Sequence, residues 1–235
     1  MWPAQLVRSL KNSVVPAGLR SRRILAGPFK GIAMNMDLTC QIQVLIGLSE
    51  LEITPWFARL SQGISCAVDI GVANGEYALF MLCKTNAKKV FAIEPDAGML
   101  QRLTVNLHLN GLSPSDRRLV IVGKFIHSDA GPNHISPDEL ASGLEGPCLI
   151  KMDIDGAEAA VLAAAKNLLK MPDVRWVIET HSQKLEAECI SILSEAGFAT
   201  KVIPNAKWRA FVPEMRSDHV RWLIAVDRQS AGLLN

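Results

Sequence analysis

From Ser65 onward, short runs rich in β-branched residues alternate with stretches whose apolar residues recur every three to four positions. That alternation predicts strands followed by helices, the pattern of an α/β domain with a largely parallel sheet. Strands are expected at SCAVDI from Ser65, KVFAIEP from Lys89, RLVIVGKFI from Arg118, PCLIKMDI from Pro147 and VRWVIET from Val174. After the second, AGMLQRLTVNLHLNG puts Met99, Leu100, Leu103 and Leu107 on one helical face that closes at Gly111. A second stripe holds Val161, Leu162, Ala165, Leu168 and Leu169, between Gly156 and the stop at Pro172. A third holds Leu185, Cys189, Ile192, Leu193 and Ala196 ahead of Gly197.

Two later runs, ATKVIPN and RWLIAVD, are separated by a polar segment containing Trp208, Arg209, Phe211 and Pro213. No helical pattern lies between them, so they predict an antiparallel pair at a sheet edge. Ahead of the first strand, QIQVLIGLSELEITPWFARLSQG predicts one or two helices. The expected organisation is an N-terminal basic arm and helical extension over 1–63, packing on a ligand-binding core over 64–235. A chain of 235 residues, 49% of them hydrophobic, suits one well-buried domain better than two independent ones.

With 25 basic and 23 acidic residues the formal charge is +2, too balanced for the overall field to imply a nucleic-acid partner. The imbalance is local: Met1 to Met36 holds no acid, while Arg8, Lys11, Arg20, Arg22, Arg23 and Lys30 are basic. This arm reads either as a solvated segment packed on the domain or as an attractor of an anionic substrate or membrane surface. Trp2, Leu6 and Leu10 would supply an apolar stripe for peripheral membrane contact. No stretch approaches the about 18 apolar residues of a membrane helix, and the N-terminus lacks the features of a secretory signal. An acid-free, Arg-containing start also suits an organelle transit peptide, but Pro3 and Pro16 interrupt it; a soluble, cytoplasmic protein is expected. The five cysteines form no CxxC pair, which fits a reducing compartment and argues against zinc.

VDIGVANGEY, from Val68 to Tyr77, follows the first strand, where ligands of open α/β sheets bind. Its glycines, Gly71 and Gly75, permit a tight turn and a close backbone approach. A dinucleotide fingerprint requires G-x-G-x-x-G; here the spacing is Gly71-x-x-x-Gly75, and the second glycine that close approach to a pyrophosphate needs is missing from Val72-Ala73-Asn74. Asp69 just before the loop would repel a pyrophosphate and attract a cationic amino-acid group. The next strand ends in FAIEPD, so Glu94 stands about twenty residues on, where an acid accepts hydrogen bonds from ribose hydroxyls.

Taken in order, VDIGVANGEY, FAIEPD, LTVNLHLNG, IKMDIDGAEAAVL and VIETHS resemble the FkbM family of class I S-adenosylmethionine-dependent methyltransferases over roughly Lys30 to Arg228. The resemblance implies a seven-stranded Rossmann-like sheet with its last strand antiparallel, helices on both faces and S-adenosylmethionine over the first two strand ends. It also implies O-methylation of a sugar or small natural product. By motif, Asp69, Gly71 and Gly75 would surround the methionine moiety, Glu94 would hold the ribose, and Asp129, in HSDAG, would lie near the adenine. Glu76 departs from the small or aromatic residues common at its position.

Methyl transfer to a hydroxyl requires a base facing the sulfonium from the fourth or fifth strand end. KMDIDGAEA supplies Asp153, Asp155 and Glu158; ETHS supplies Glu179, Thr180 and His181. His181 is the expected base, with Asp153 or Asp155 as the alternative. Asp155 and Glu158 also resemble a capping box at a helix start. Asp153, Asp155, Glu179 and His181 could gather a divalent cation, but no spacing demands one and no metal is expected. Two other functions stay open: an NAD-dependent oxidoreductase, and a catalytically silent nucleoside-binding module.

Overall fold

The computed structural model describes residues 15–206 and 220–234. The proposed Trp2, Leu6 and Leu10 stripe and the polar segment around Trp208 to Pro213 lie outside the described residues. Seven strands form one sheet: β3 (Cys66–Ile70), β4 (Lys89–Ile93), β5 (Leu119–Val122), β8 (Cys148–Met152), β9 (Val174–Thr180), β10 (Phe198–Ile203) and β11 (Arg221–Asp227). Their order is β10-β11-β9-β8-β3-β4-β5, with β11 antiparallel to both neighbours and the remaining pairings parallel. The expected Rossmann-like architecture is present. Strand order reverses between β3 and β8, so a crevice opens at their carboxyl ends.

Every residue of β3, β8 and β9 is buried, as expected of central strands covered on both faces. The two-residue period sends Cys66, Val68 and Ile70 into one apolar layer with Ile150, Met152, Trp176 and Ile178. Leu162, Cys189 and Leu193 cover that layer from α6 (Glu158–Ala164) and α7 (Gln183–Glu195). On the opposite face Ala67, Leu149 and Val177 pack against Leu79 of α3 (Glu76–Lys84) and Leu103 of α4 (Ala97–Leu109). Asp69 and Lys151 share this second face because parallel register sets them side by side.

Three expectations change in detail. RLVIVGKFI is broken: β5 ends at Val122, and Phe125–Ile126 (β6) instead pairs with His134–Ile135 (β7) in a separate two-stranded sheet. The stripe from Val161 to Leu169 is interrupted, α6 ending at Ala164 and Leu168–Lys170 forming a single 3-10 turn. N-terminally, the expected helices α1 (Leu38–Leu45) and α2 (Thr54–Leu60) are present, preceded by an unforeseen hairpin of β1 (Arg20–Arg23) and β2 (Ala33–Met36). The short helix α5 (Pro137–Ala141) and a 3-10 helix over Arg228–Leu234 complete the inventory described.

The asparagines of LTVNLHLNG fasten that hairpin to α4. Asn110 Oδ1 accepts from the Ala33 N–H at 2.9 Å, and its amide donates back to the Ala33 carbonyl at 2.7 Å. Asn106, almost fully buried, accepts from the Asn35 N–H at 2.8 Å and donates to the Asn74 carbonyl at 2.8 Å, joining the hairpin to the glycine loop. An aromatic cluster reinforces the join, with Phe57 and Tyr77 rings 4.6 Å apart and Phe29 and Phe80 5.1 Å apart. Ile24, Ile32, Met34 and Met36 thereby enter the same apolar layer as the sheet. No helix among the described residues is long and apolar enough to cross a membrane.

Candidate active site

Two cavities meet at the strand-order reversal. The larger, about 510 Å³, lies over the ends of β3, β4 and β8 and is lined by Gly71, Ala73, Glu94, Phe125, Ile126, Asp153 and Asp155 among others. The smaller, about 240 Å³, lies between the glycine loop and the N-terminal segment; its walls include Phe29, Glu50, Asn74, Glu76, Tyr77 and Lys151. Ala73 and Asp153 line both, so the two spaces share a wall.

Gly71 and Gly75 both have positive φ, +78° and +91°. Their reasons are internal to the fold. A Cβ on Gly71 would strike the Asp153 carbonyl oxygen, where the loops after β3 and β8 touch; on Gly75 it would stand 2.6 Å from Leu103 Cδ1. Glycine thus serves backbone-to-backbone and helix-to-helix approach here. Gly71 still lines the larger cavity, while Gly75 begins α3 and lines neither.

Asp69 is fully buried beneath the loop and lines neither cavity. It accepts from the Ala78 N–H at 2.9 Å and pairs with Lys151 Nζ at 3.3 Å. Burial pushes its carboxyl up to about 6, against the pull of Lys151. Lys151, held charged by Asp69 and Asp153, also donates to the Gly71 carbonyl at 2.7 Å and lies 3.5 Å from Asp153. It therefore ties the ends of β3 and β8 together. Removing one partner of such a buried pair typically costs ~3–5 kcal/mol, because the other charge stays in the core. Lysine within an apolar strand, in IKMD, was the available sequence signal for this residue.

Glu94 directly follows β4, with its carboxylate aimed back along the loop: Oε2 accepts from the Ala73 N–H at 3.1 Å and Oε1 from the Asp96 N–H at 3.0 Å. Each oxygen keeps a lone pair for a further donor, so the side chain is rigidly placed at the cavity wall. Asp129 is exposed and lines neither cavity; Lys124, Phe125 and Ile126, a few residues earlier, occupy that wall instead.

At the ends of β8 and β9 the acids and the imidazole do converge. Glu158, completely buried, is hydrogen-bonded to His181 Nδ1. On the other ring edge Nε2 lies 3.2 Å from Asp155, 3.8 Å from Asp153 and 3.9 Å from Glu179. The bond to Glu158 raises the imidazole pKa, burial opposes it, and the nearby Glu158, Asp153 and Asp155 charges add to the rise. The capping box does not form: the chain turns at Gly156 with φ +88°, Ala157 becomes the N-cap, and Glu158 at the first helical position points to His181. Asp153, Glu179 and His181 each offer a ligand atom within 4.8 Å of the others, a set able to hold a metal ion.

Glu76 lines the smaller cavity, and burial pushes its carboxyl from 4.5 to about 7, with the Glu50 charge adding to the rise. The folded chain then keeps a proton that the unfolded chain releases between about pH 4.5 and 7, so this group's contribution to stability is lost as pH rises across that window. A shift of this size corresponds to at most ~3 kcal/mol, and partial solvent access reduces it to ~2 kcal/mol. Glu76→Gln is accordingly expected to leave the thermal midpoint nearly unchanged at pH 4.5 and to raise it by about 5 °C at pH 8. Thermal unfolding at both pH values checks this; a difference independent of pH would remove the buried-carboxylate explanation.

No family model matches the chain, and no curated protein sequence matches it. Solved structures do. A methyltransferase FkbM from Methylobacillus flagellatus superposes with TM-score 0.54 at 19% identity, over 68% of this chain and 43% of that one; the match thus spans less than half of that protein. M. jannaschii TYW2, solved in complex with AdoMet, gives 0.51 at 12% identity over 90% and 86% of the two chains. A precorrin-6y C5,15-methyltransferase from Geobacter metallireducens gives 0.50 at 14% identity over 74% and 85%. The chain therefore has the Rossmann-like fold shared by these class I methyltransferases.

Proposed function

We propose that this chain is an S-adenosylmethionine-dependent methyltransferase of the FkbM kind, which O-methylates a hydroxyl of a small acceptor such as a sugar. One observation carries the choice of cofactor. Among the named walls of the 510 Å³ cavity stand three acids, Glu94, Asp153 and Asp155, against one base, Lys124. Such a field favours a sulfonium cation and disfavours the two negative charges of a pyrophosphate. Glu94 would accept from the ribose. The amino-acid arm, with its ammonium, would pass Ala73 and Asp153 into the smaller cavity, where Glu50 supplies negative charge and the protonated Glu76 a hydrogen-bonding wall. Gly71 and Asp69 act on this ligand by shaping the loop, and Asp129 has no contact role in this reading.

The acceptor hydroxyl would approach from the side of Asp153, Asp155 and His181, and this cluster takes up its proton. The balance is simple: the methyl leaves sulfur for oxygen, the sulfonium becomes a neutral thioether, and one proton is released. Calorimetric titration of the purified chain with S-adenosylhomocysteine is expected to show one site. Absent binding, together with binding of NADH, would replace this reading by the oxidoreductase.

A further inference from the structure

The densest group of ionisable side chains in the crevice is larger than proton removal needs. Asp153 follows β8, Glu179 belongs to β9, and His181 follows β9, so two adjacent parallel strands deliver two carboxylates and an imidazole to one point. Their ligand atoms all lie within 4.8 Å of one another. The 3.8 and 3.9 Å gaps from Nε2 to Asp153 and Glu179 are too long for hydrogen bonds. They do suit donors arranged about one ion: metal–oxygen distances of ~2.1–2.4 Å set ligands roughly 3 to 4.8 Å apart.

We propose that Asp153, Glu179 and His181 Nε2 bind one divalent cation of the hard class, Mg²⁺ or Mn²⁺, and that the acceptor carries two adjacent oxygen donors, as a vicinal diol does, which complete its coordination. The chemistry of the surroundings supports this beyond the three ligands. With Glu158 accepting from Nδ1, an ion that displaces the Nε2 proton meets a lone pair aimed at the group, the carboxylate–histidine arrangement that orients imidazole ligands. Four carboxylates, Asp153, Asp155, Glu158 and Glu179, face His181 and a Lys151 that is already shared with Asp69. The Asp153 and His181 side chains keep 28% and 21% of their surface exposed, so an ion and an acceptor can reach them from solvent.

Asp153 also lines the wall between the two cavities, so an ion there stands beside the place assigned to the sulfonium. Coordination acidifies the bound hydroxyl, and its proton passes to the exposed Asp155 carboxylate and on to water. His181 is then a ligand, in place of the base expected from sequence. The acceptor class rests on the methyltransferase reading; the cation site rests on the ligand geometry alone.

The test uses the full chain freed of metal with EDTA and titrated with Mn²⁺, followed by the electron paramagnetic resonance signal of the free ion. One Mn²⁺ per chain is expected, with affinity at least about tenfold weaker in Asp153→Asn and in Glu179→Gln and unchanged in Asp129→Asn. Circular dichroism checks the variants; Asp153 is partly exposed, so Asp153→Asn alone suffices if the buried Glu179 variant fails to fold. Absent Mn²⁺ binding, or binding that ignores Asp153→Asn, overturns the site, and retained S-adenosylhomocysteine binding would then leave the methyltransferase reading standing. Mn²⁺ binding without S-adenosylhomocysteine binding overturns that reading and keeps the cation site.

Discussion

His181→Ala is expected to lower turnover by about 10²–10³-fold while the dissociation constant for S-adenosylhomocysteine stays within about twofold. The imidazole lies at the mouth of the crevice, among Asp153, Asp155 and Glu179, and belongs to neither cavity wall named for the cofactor. Its removal therefore strips the acceptor side and leaves the cofactor side whole. Transfer of label from the cofactor to whatever fraction the unaltered chain methylates measures the first quantity; calorimetry measures the second. Glu158→Gln divides the effect further, since a neutral amide still reaches Nδ1 but no longer supplies the charge that the imidazole leans on. A loss of about tenfold is expected from it. Undiminished turnover in both His181→Ala and Asp153→Ala would remove these base assignments from the chemistry.

Gly71→Ala is expected to destabilise the fold by ~3–4 kcal/mol and to weaken cofactor binding. Two costs combine. Alanine at φ +78° is strained by ~1–2 kcal/mol, and its Cβ would meet the Asp153 carbonyl. That carbonyl has little room to retreat, because the Asp153 N–H is bonded to the Ile70 carbonyl at 3.0 Å. Forcing the two loops apart adds an overpacking cost of ~1–3 kcal/mol and shifts Asp153, which lines both cavities. Gly63→Ala is the control: its φ is +70°, and nothing lies within 4 Å of the added carbon, so only the backbone cost applies. Urea midpoints of the two variants separate strain from collision. Equal losses in both would show that the loop contact is not what requires glycine at Gly71.

How far the chain could be read in one dimension differs from element to element. VRWVIET, expected from Val174, is the strand Val174–Thr180, and CAVDI and KVFAI match closely, because a central strand covered on both faces is apolar at most of its positions. The hairpin Arg20–Arg23 and Ala33–Met36 left no such trace. Its strands are four residues long, RSRR carries no apolar alternation, and it is anchored by Asn106 and Asn110, about seventy residues away. RLVIVGKFI reads as one strand but leaves the main sheet after Val122, since pairing partners, not β propensity, decide where a strand ends.

The candidate site divides the same way. Local spacing sufficed to place Gly71 at a tight turn, Glu94 at a strand end and Asp153, Asp155 and His181 around one crevice, because each depends on where a strand stops. What Asp69 does required register: opposite Lys151 it becomes a buried ion pair under the loop. Glu158 read equally well as a helix cap, and it orients His181 only because β9 ends beside the start of α6. Glu76, unexplained in the sequence, lines a cavity whose other wall comes from residues 24–54. By itself the sequence determined the α/β layering, the strand ends and the residue types gathered there, since periodicity and turn chemistry are local. The tertiary structure alone decided which acids are buried, which face the imidazole and which line the cavities, because desolvation and charge coupling depend on neighbours that the folded chain supplies.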